Sequence, residues 1–565
     1  MHLQISSIKN KIKHRLNLEN LIYAILFILL VIFVLYPVIL IFIRSFYVND
    51  SFTFLNYKST FLDKNTYKAI KNTFFVSILV LFLTWIIGGS LAYIKVKTRY
   101  KYKKLIDLFV FMTFTIPAYI LAVTWILGLS RGGYLSRILK LINKESVYDF
   151  NAYSLLATSI VLAVHMYPIV YYGVSNAFKL TGNNLEQSAK VSGLSRIAII
   201  KNITVPLVIP AFISTGILVI SRSISNYGVT SLLAVPSGFD LLATRVFSSM
   251  SDLDLGVVAV QSVLIIAISF LLFFSSSLLI KNKHFYIKEF VEEEKENDKK
   301  SIMLNIFLIV FFLITFFLPF LIIIVSSFFK RWGLSFKLEN LTFNNYKILF
   351  GKNKILIEPL INSIKIGLLG GLLSTFLASL IVFISKTNKC AKNSLLLYIS
   401  LIPIAVPNIV LAIAAMFAWI NPPLKLYGTF YILLITYVIL FLPISIKQID
   451  GASKNIDKSL DEVSRTMGIN IMKRYFTLFL PQIKDSLYIS FIMCFLIALK
   501  EIPISLMLYS VGNKTLGVMM FTIQTNSYGL EMTSAISVII IFMSLVGRFL
   551  LYYIKKRSSL HGSRN

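Results

Sequence analysis

The sequence predicts an all-α polytopic membrane protein, made of two parallel repeats of six spanning helices, and three observations predict it. Hydrophobic residues make up 57 % of the chain and charged residues only 14 %, with a mean hydropathy of +0.78. A soluble chain of 565 residues could not hide that much apolar surface. The apolar residues also gather in long runs, each sufficient for a hydrocarbon core that takes about 20 helical residues to cross. Finally, one polar, basic block occurs twice: LEQSAKVSGLSRIAIIKNITVP at 185–206 and LDEVSRTMGINIMKRYFTLFLP at 460–481. The two copies share one spacing, Glu186–Gly193–Pro206 and Asp461–Gly468–Pro481.

The runs give about twelve spans. Six are centred on 21–43, 70–94, 105–129, 153–175, 207–233 and 257–280, and six on 302–327, 361–385, 394–420, 429–446, 485–510 and 532–554. The first run is too long for a signal-peptide core and lacks a small-residue cleavage site, so it is read as a retained helix. Cys390 and Cys494 lie in different apolar contexts without metal spacing, and read as small core residues.

A net charge of +31 invites a nucleic-acid reading, but the bilayer accounts for where the charge lies. Basic residues precede the first span (Lys9, Lys11, Lys13, Arg15). They fill the loop after the second span (Lys95, Lys97, Arg99, Lys101, Lys103, Lys104) and the matching loop of the second half (Lys386, Lys389, Lys392), and they follow the last span (Lys555, Lys556, Arg557). By span count these loops share one side with both repeated blocks, and that side carries roughly twice the Lys and Arg of the other. The bias places both termini and both blocks in the cytoplasm, and the clusters face anionic lipid rather than nucleic acid.

The repeat extends beyond the blocks. At an offset of 275 residues Tyr167-Pro168 aligns with Leu442-Pro443; at 290, Asn72-Thr73 aligns with Asn362-Ser363 and Pro117 with Pro407. Six is even, so both halves enter from the same side and are parallel repeats. The expected organisation is a first half at 1–282, a charged cytoplasmic tether at 283–301 (HFYIKEFVEEEKENDKK covers most of it), and a second half at 302–565.

Each block predicts a short helix with Glu186 or Asp461 near its start, where an acid offsets the helix dipole. Gly193 or Gly468 then permits a turn with positive φ. A second amphipathic helix follows, and Pro206 or Pro481 is expected to start the next span. A plain amphipathic loop on lipid headgroups would look similar in one copy. Two copies in register favour a docking element that holds a matched pair of soluble partners.

These residues resemble the EAA loop of ABC-importer permeases. Glu186-Gln187-Ser188-Ala189 and Asp461-Glu462-Val463-Ser464 stand in the place of its acidic-small-small opening, and Gly193 and Gly468 at its glycine. Gln187 departs from the pattern in the first copy, and Asp461, Glu462 and Val463 in the second. The resemblance covers the whole chain as two fused permease halves. It implies a transport subunit, not an enzyme, in the bacterial inner membrane, whose cytoplasmic coupling helices insert into an ABC ATPase dimer while an extracytoplasmic solute-binding protein delivers substrate. The chain contains no G-x-x-x-x-G-K-[ST] phosphate loop; GNKT at 512–515 is the nearest run. The resemblance therefore implies no cofactor on this chain, with ATP used by the partner.

Charges inside a bilayer are expensive and tend to be functional. Arg222, Asn226 and Tyr227 in the fifth span, and Lys500 and Glu501 in the eleventh, are therefore candidates to line a pathway; at the 275 offset Asn226 aligns with Glu501. A structural polar role is the competing reading. Arg245, Lys330, Arg331 and Lys514 are expected to meet solvent or a binding protein. His165 is read as a packed helix residue, and no metal site is expected. The LKEIPISLML and NYGVTSLL segments resemble ferric-iron permeases, which implies iron(III) uptake; thiamine, phosphonate and polyamine permeases are alternatives within the family. An ion-coupled secondary transporter is the alternative outside it, supported only by Glu501.

Overall fold

The computed structural model describes residues 18–48, 51–98, 100–142, 151–180, 183–280, 302–334, 337–351, 355–387, 394–454, 456–525 and 529–562. The expected tether at 283–301 lies outside them, as do Cys390 and the side chain of Gln187. The described chain is mainly helical, with a small antiparallel ribbon, Tyr47–Val48 with Ser51–Phe52, and an isolated antiparallel bridge between Phe329 and Leu341. Among the described residues nine helices are long and apolar enough to cross a membrane, and three bent helix pairs raise the possible number to twelve.

Four of the expected spans are broken. The third divides into Lys103–Thr115 and a following helix from Ala118, bent by 91°, and the ninth into Leu395–Ile404 and Asn408–Trp419, bent by 113°. The cause is the aligned prolines. Pro117 and Pro407 adopt ψ of 142° and 147° and precede the second helix of each pair, where a missing N–H is harmless. The eleventh span stops at Ala498 and resumes as Pro503–Leu508. The fifth likewise stops at Ile224 and resumes as Tyr227–Leu233.

Pro206 and Pro481 do not start spans, contrary to expectation. In the first half a helix runs unbroken from Ile197 to Ile224. In the second, Ile471–Gln482 contains the proline and meets Lys484–Ala498 at 77°. A π turn ends two residues before each proline, at Ile200–Thr204 and Tyr475–Phe479. The same device precedes Pro37 (Val31–Leu35) and Pro319 (Leu313–Phe317). In all four the residue before proline donates its N–H five residues back. The wider turn relieves the clash between the proline ring and the preceding turn, so the helix continues.

Two compact units result, and they do not follow the covalent repeats. One contains Phe46–Ile348 and Ile523–Ile541. Its leading helix is Ile302–Ser327, taken from the second half. Phe109 meets Phe312 and Phe317 at ring distances of 5.1 and 5.3 Å, and the Tyr100 hydroxyl donates to Asn305 (2.7 Å). The other unit contains Met1–Ser45, Leu349–Thr522 and Phe542–Asn565. There the N-terminal helix Leu18–Ser45 packs on the second half, with Leu26, Leu30 and Val34 buried and Phe33 5.6 Å from Trp419. The two repeats thus exchange leading helices.

Within each unit, one long helix joins two ends of the bundle. Asp63 caps Lys64–Lys97 by accepting from the N–H groups of Asn65 and Thr66. Asp63 also pairs with Arg245 at 2.9 Å, so Arg245 is a structural partner and not the solvent-facing group expected. Near the start of this helix Asn72 donates to the Asp240 carbonyl (2.9 Å), and the Thr73 hydroxyl accepts from the Leu242 N–H (2.9 Å). In the other unit Asn362 donates to the carbonyls of Gly512 and Lys514, and Ser363 accepts from the Leu516 N–H. The aligned Asn-Thr and Asn-Ser pairs therefore hold the first turn of a following helix, Leu242–Ser251 or Leu516–Thr525.

Candidate docking loops

The repeated blocks fold alike. Asn183–Val191 and Lys458–Thr466 are short helices with Glu186 and Asp461 in their first turns. Asp457 caps the second, accepting from the Ser459 N–H at 2.9 Å. Donors from the Ser459 backbone and hydroxyl hold its carboxyl below the ordinary carboxylate value. Gly193 and Gly468 have φ of +82° and +78°. Around them the N–H groups of Leu194 and Ile469 bond to the carbonyls of Ala189 and Ser464, and those of Gly193 and Gly468 to Lys190 and Arg465, all at 3.0 Å. This is a Schellman closure, which satisfies the last carbonyls of a helix and needs a left-handed residue at its corner. Another side chain there would raise the energy by roughly 1–2 kcal/mol.

One face of each helix turns inward on a small residue: Ala189 and Ser464, at aligned positions, are 7 % and 3 % exposed. The outward face is apolar. Val191 (90 %), Ile197 (78 %) and Met467 (74 %) stand nearly free of the protein, beside exposed Ser188, Glu462, Val463 and the two glycines. A paired helix–turn–helix with a fixed corner and an apolar crest can dock into a groove.

The two acids are braced by different cations. Glu186 pairs with Lys97, at the far end of Lys64–Lys97, at 2.9 Å, and accepts from the Thr204 hydroxyl at 2.8 Å. Asp461 pairs with Arg474 from its own block at 2.9 Å and with Arg465 at 2.9 Å. Arg474 is almost fully buried, faces the Phe383 ring at 6.0 Å and also lies 3.6 Å from Glu19 of the N-terminal helix. Sequence reading missed all three of Lys97, Arg474 and Glu19. Lys97 looked like one more topology lysine, while Arg474 occupies the place aligned with Ile199.

The pathway candidates divide. Asn226 caps Tyr227–Leu233, accepting from the Val229 N–H at 3.0 Å. Its aligned partner Glu501 is buried and serves Pro503–Leu508 in the same way, accepting from the N–H groups of Ile504 and Ser505, from the Tyr437 hydroxyl (3.2 Å) and from Asn408 (3.3 Å). An acid at a helix start offsets its dipole. Tyr227 is 3 % exposed, with its ring 4.9 Å from Phe247. Arg222 is exposed and Lys500 half-buried near Arg548. His165 stacks on Phe114. Among the described residues no three His, Cys, Asp or Glu side chains are grouped to hold a metal ion.

The family model for a binding-protein-dependent transport system inner membrane component matches this chain twice, over residues 85–283 and 370–559. The "Ferric transport system permease protein FbpB" of Actinobacillus pleuropneumoniae is 22 % identical over 540 residues, covering 93 % of this chain and 77 % of that protein. The "Putative ferric transport system permease protein FbpB 1" of Haemophilus influenzae is 23 % identical over 495 residues, 85 % and 77 % of the two chains. The "Molybdenum transport system permease protein ModB" of Escherichia coli is 23 % identical over 168 residues, which is 29 % of this chain but 70 % of that protein. The two matches together span most of the chain, and each contains one of the two docking loops, with Gly193 or Gly468 at its corner, so the chain belongs to the family of binding-protein-dependent transport system inner membrane components, with the family's unit present twice.

Proposed function

We propose that this chain is the permease subunit of an iron(III) importer, carrying both transmembrane halves of the complex. The observation that carries the reading is its match to two ferric permeases along most of its length, whereas the molybdenum relative matches 29 % of it. Both termini and both loops lie in the cytoplasm. Each loop, through Glu186 to Ala189 with Gly193 and through Asp461 to Ser464 with Gly468, seats its apolar crest in a cleft of a separate ATPase dimer. An extracytoplasmic binding protein delivers iron(III), and Arg222, Asn226, Tyr227, Lys500 and Glu501 act along or beside the route of passage.

The mechanism is a population shift. ATP favours one separation of the two clefts, and loops with fixed corners transmit that separation to the spans. Glu186 passes it through Lys97 to Lys64–Lys97; Asp461 passes it through Arg474 to the N-terminal helix. Asn226 and Glu501 keep the broken spans intact at their kinks while the bundle moves.

The test is uptake by the assembled complex in proteoliposomes, with ferric iron, thiamine, phosphonate, a polyamine and molybdate compared side by side. ATP-dependent uptake of ferric iron alone is expected. Uptake of another solute in its place would move the assignment within the family. Uptake that ignores ATP and collapses with the ion gradient would favour a secondary transporter.

A further inference from the structure

A nine-residue pattern, T-F-x-N-Y-K-x-x-F, occurs at 53–61 and again at 342–350. Both copies fold alike. The Thr53 and Thr342 hydroxyls accept from the N–H groups of Leu55 and Asn344 at 3.2 and 3.1 Å, and short helices follow, Leu55–Leu62 and Asn344–Phe350. Asn56 and Asn345 are buried. Asn56 donates to the Tyr47 carbonyl (3.0 Å), and Asn345 to the carbonyls of Ser327 and Phe329 (both 2.9 Å). A single ring from the preceding chain meets the first Phe and the Tyr of each copy. Phe46 lies 5.5 and 4.9 Å from Phe54 and Tyr57, and Phe328 lies 5.2 and 5.4 Å from Phe343 and Tyr346.

The two phenylalanines and the lysine of each copy are exposed. Phe54 and Phe343 are 63 % and 68 % exposed, Phe61 and Phe350 56 % and 51 %, and Lys58 and Lys347 are exposed between them. Positions i, i+4 and i+7 share one helix face. Each copy therefore presents two rings with a lysine in the middle, while its Asn holds the opposite face against the protein. Repeated apolar faces of this kind mark an interaction surface.

Their level in the bundle indicates what covers them. Both copies lie away from the Glu186–Lys97 pair of the first docking loop. One precedes Lys64 of Lys64–Lys97; the other follows Ser327 of Ile302–Ser327, whose opposite end meets Tyr100 through Asn305. Asn56 packs on Gly256 so closely that a side chain there would collide with it. Gly256 is the second residue of Leu255–Ile280, a helix of 26 residues, about 39 Å long. A bilayer with its headgroups is about 40–45 Å thick, so Asn56 lies at headgroup level. From there the exposed face continues down Lys64–Lys97 through Tyr67, Phe74, Ile78, Phe82 and Ile86, one side of a spanning helix. An apolar stripe on a span faces acyl chains, and the rings at 54 and 61 prolong it.

We infer that the two T-F-x-N-Y-K-x-x-F segments are interfacial anchors. Each lays its pair of phenylalanine rings into the acyl boundary of the leaflet opposite the first docking loop, with Lys58 or Lys347 reaching up to the headgroups as amphipathic lysines do at such a boundary. Through Asn56 and Asn345 the anchors fix the depth of Tyr47 and of the end of Ile302–Ser327.

Electron paramagnetic resonance on the full chain in phosphatidylcholine–phosphatidylglycerol vesicles tests this. Nitroxide labels are placed singly through Phe54→Cys, Phe61→Cys, Phe343→Cys and Phe350→Cys, in a chain also carrying Cys390→Ser and Cys494→Ser. Relaxation by oxygen should exceed relaxation by a water-soluble nickel chelate at all four positions, at depths of about 5–10 Å below the headgroup boundary. Nickel relaxation exceeding that by oxygen at any of the four would overturn the proposal. Nickel access that is lost when a soluble binding protein is added would overturn it in favour of a protein-docking surface.

Discussion

The first and second loops share a backbone and differ in wiring. Both close through a left-handed glycine, bury a small residue and show an apolar crest. Glu186, however, is held by a lysine from a spanning helix of its own half, and Asp461 by a buried arginine of its own block that also faces Glu19. If the loops dock as proposed, shape is what a partner's groove must recognise, which accounts for its being repeated. The brace faces the bundle, so it is free to differ so long as a cation meets the acid. The Asp-for-Glu exchange fits this: the shorter acid is matched to a cation that the block itself supplies.

Proline at either corner should have the largest effect. Gly193→Pro and Gly468→Pro cannot adopt φ near +80°, and each should abolish ATP-coupled uptake while membrane insertion, read by protease protection, is unchanged. Loss in only one copy would show the loops to be unequal in shape as well as in bracing. Arg474→Ala comes next. Removing this buried cation leaves Asp461 with Arg465 alone and takes the counter-charge from the largely buried Glu19, at a cost of about 3 kcal/mol, seen as a lowered thermal midpoint of the purified chain. Lys97→Ala should lower it less, by about 1–2 kcal/mol, since Glu186 keeps the Thr204 hydroxyl. An inverted order would mean that the brace of the first loop carries more of the structure. The smallest contrast is between the caps. Asn226→Ala should destabilise by about 1 kcal/mol, and Glu501→Gln, which keeps an acceptor for Ile504 and Ser505, by no more. Uptake should fall without release of the ATPase subunit in pull-downs; release after Glu501→Gln would place Glu501 in the docking machinery.

The sequence showed the repeat, the positive φ at Gly193 and Gly468 and the aligned polar positions Asn226 and Glu501 within apolar spans, because each leaves a local signature in spacing or residue type. The breaks at Pro117 and Pro407 could have been read from the same alignment, but unbroken hydropathy concealed them. Pro206 and Pro481 misled because proline usually marks a helix start, whereas here a π turn absorbs it. The exchange of leading helices leaves no mark in hydropathy, since a span is apolar whichever half it packs on. The braces were invisible for a similar reason: a lysine at a span end looks the same whether it meets lipid headgroups or the carboxylate of Glu186.

The claim that most depends on the loops acting as a pair is best tested by cysteine cross-linking in native membranes. Single cysteines at Val191 and at Met467, on the two exposed crests, are combined with the complex's ATPase subunit. Both positions should cross-link to that subunit, with yields that change when ATP is added. A cross-link at neither position, or labelling of the two cysteines from opposite faces of the membrane, would contradict the account.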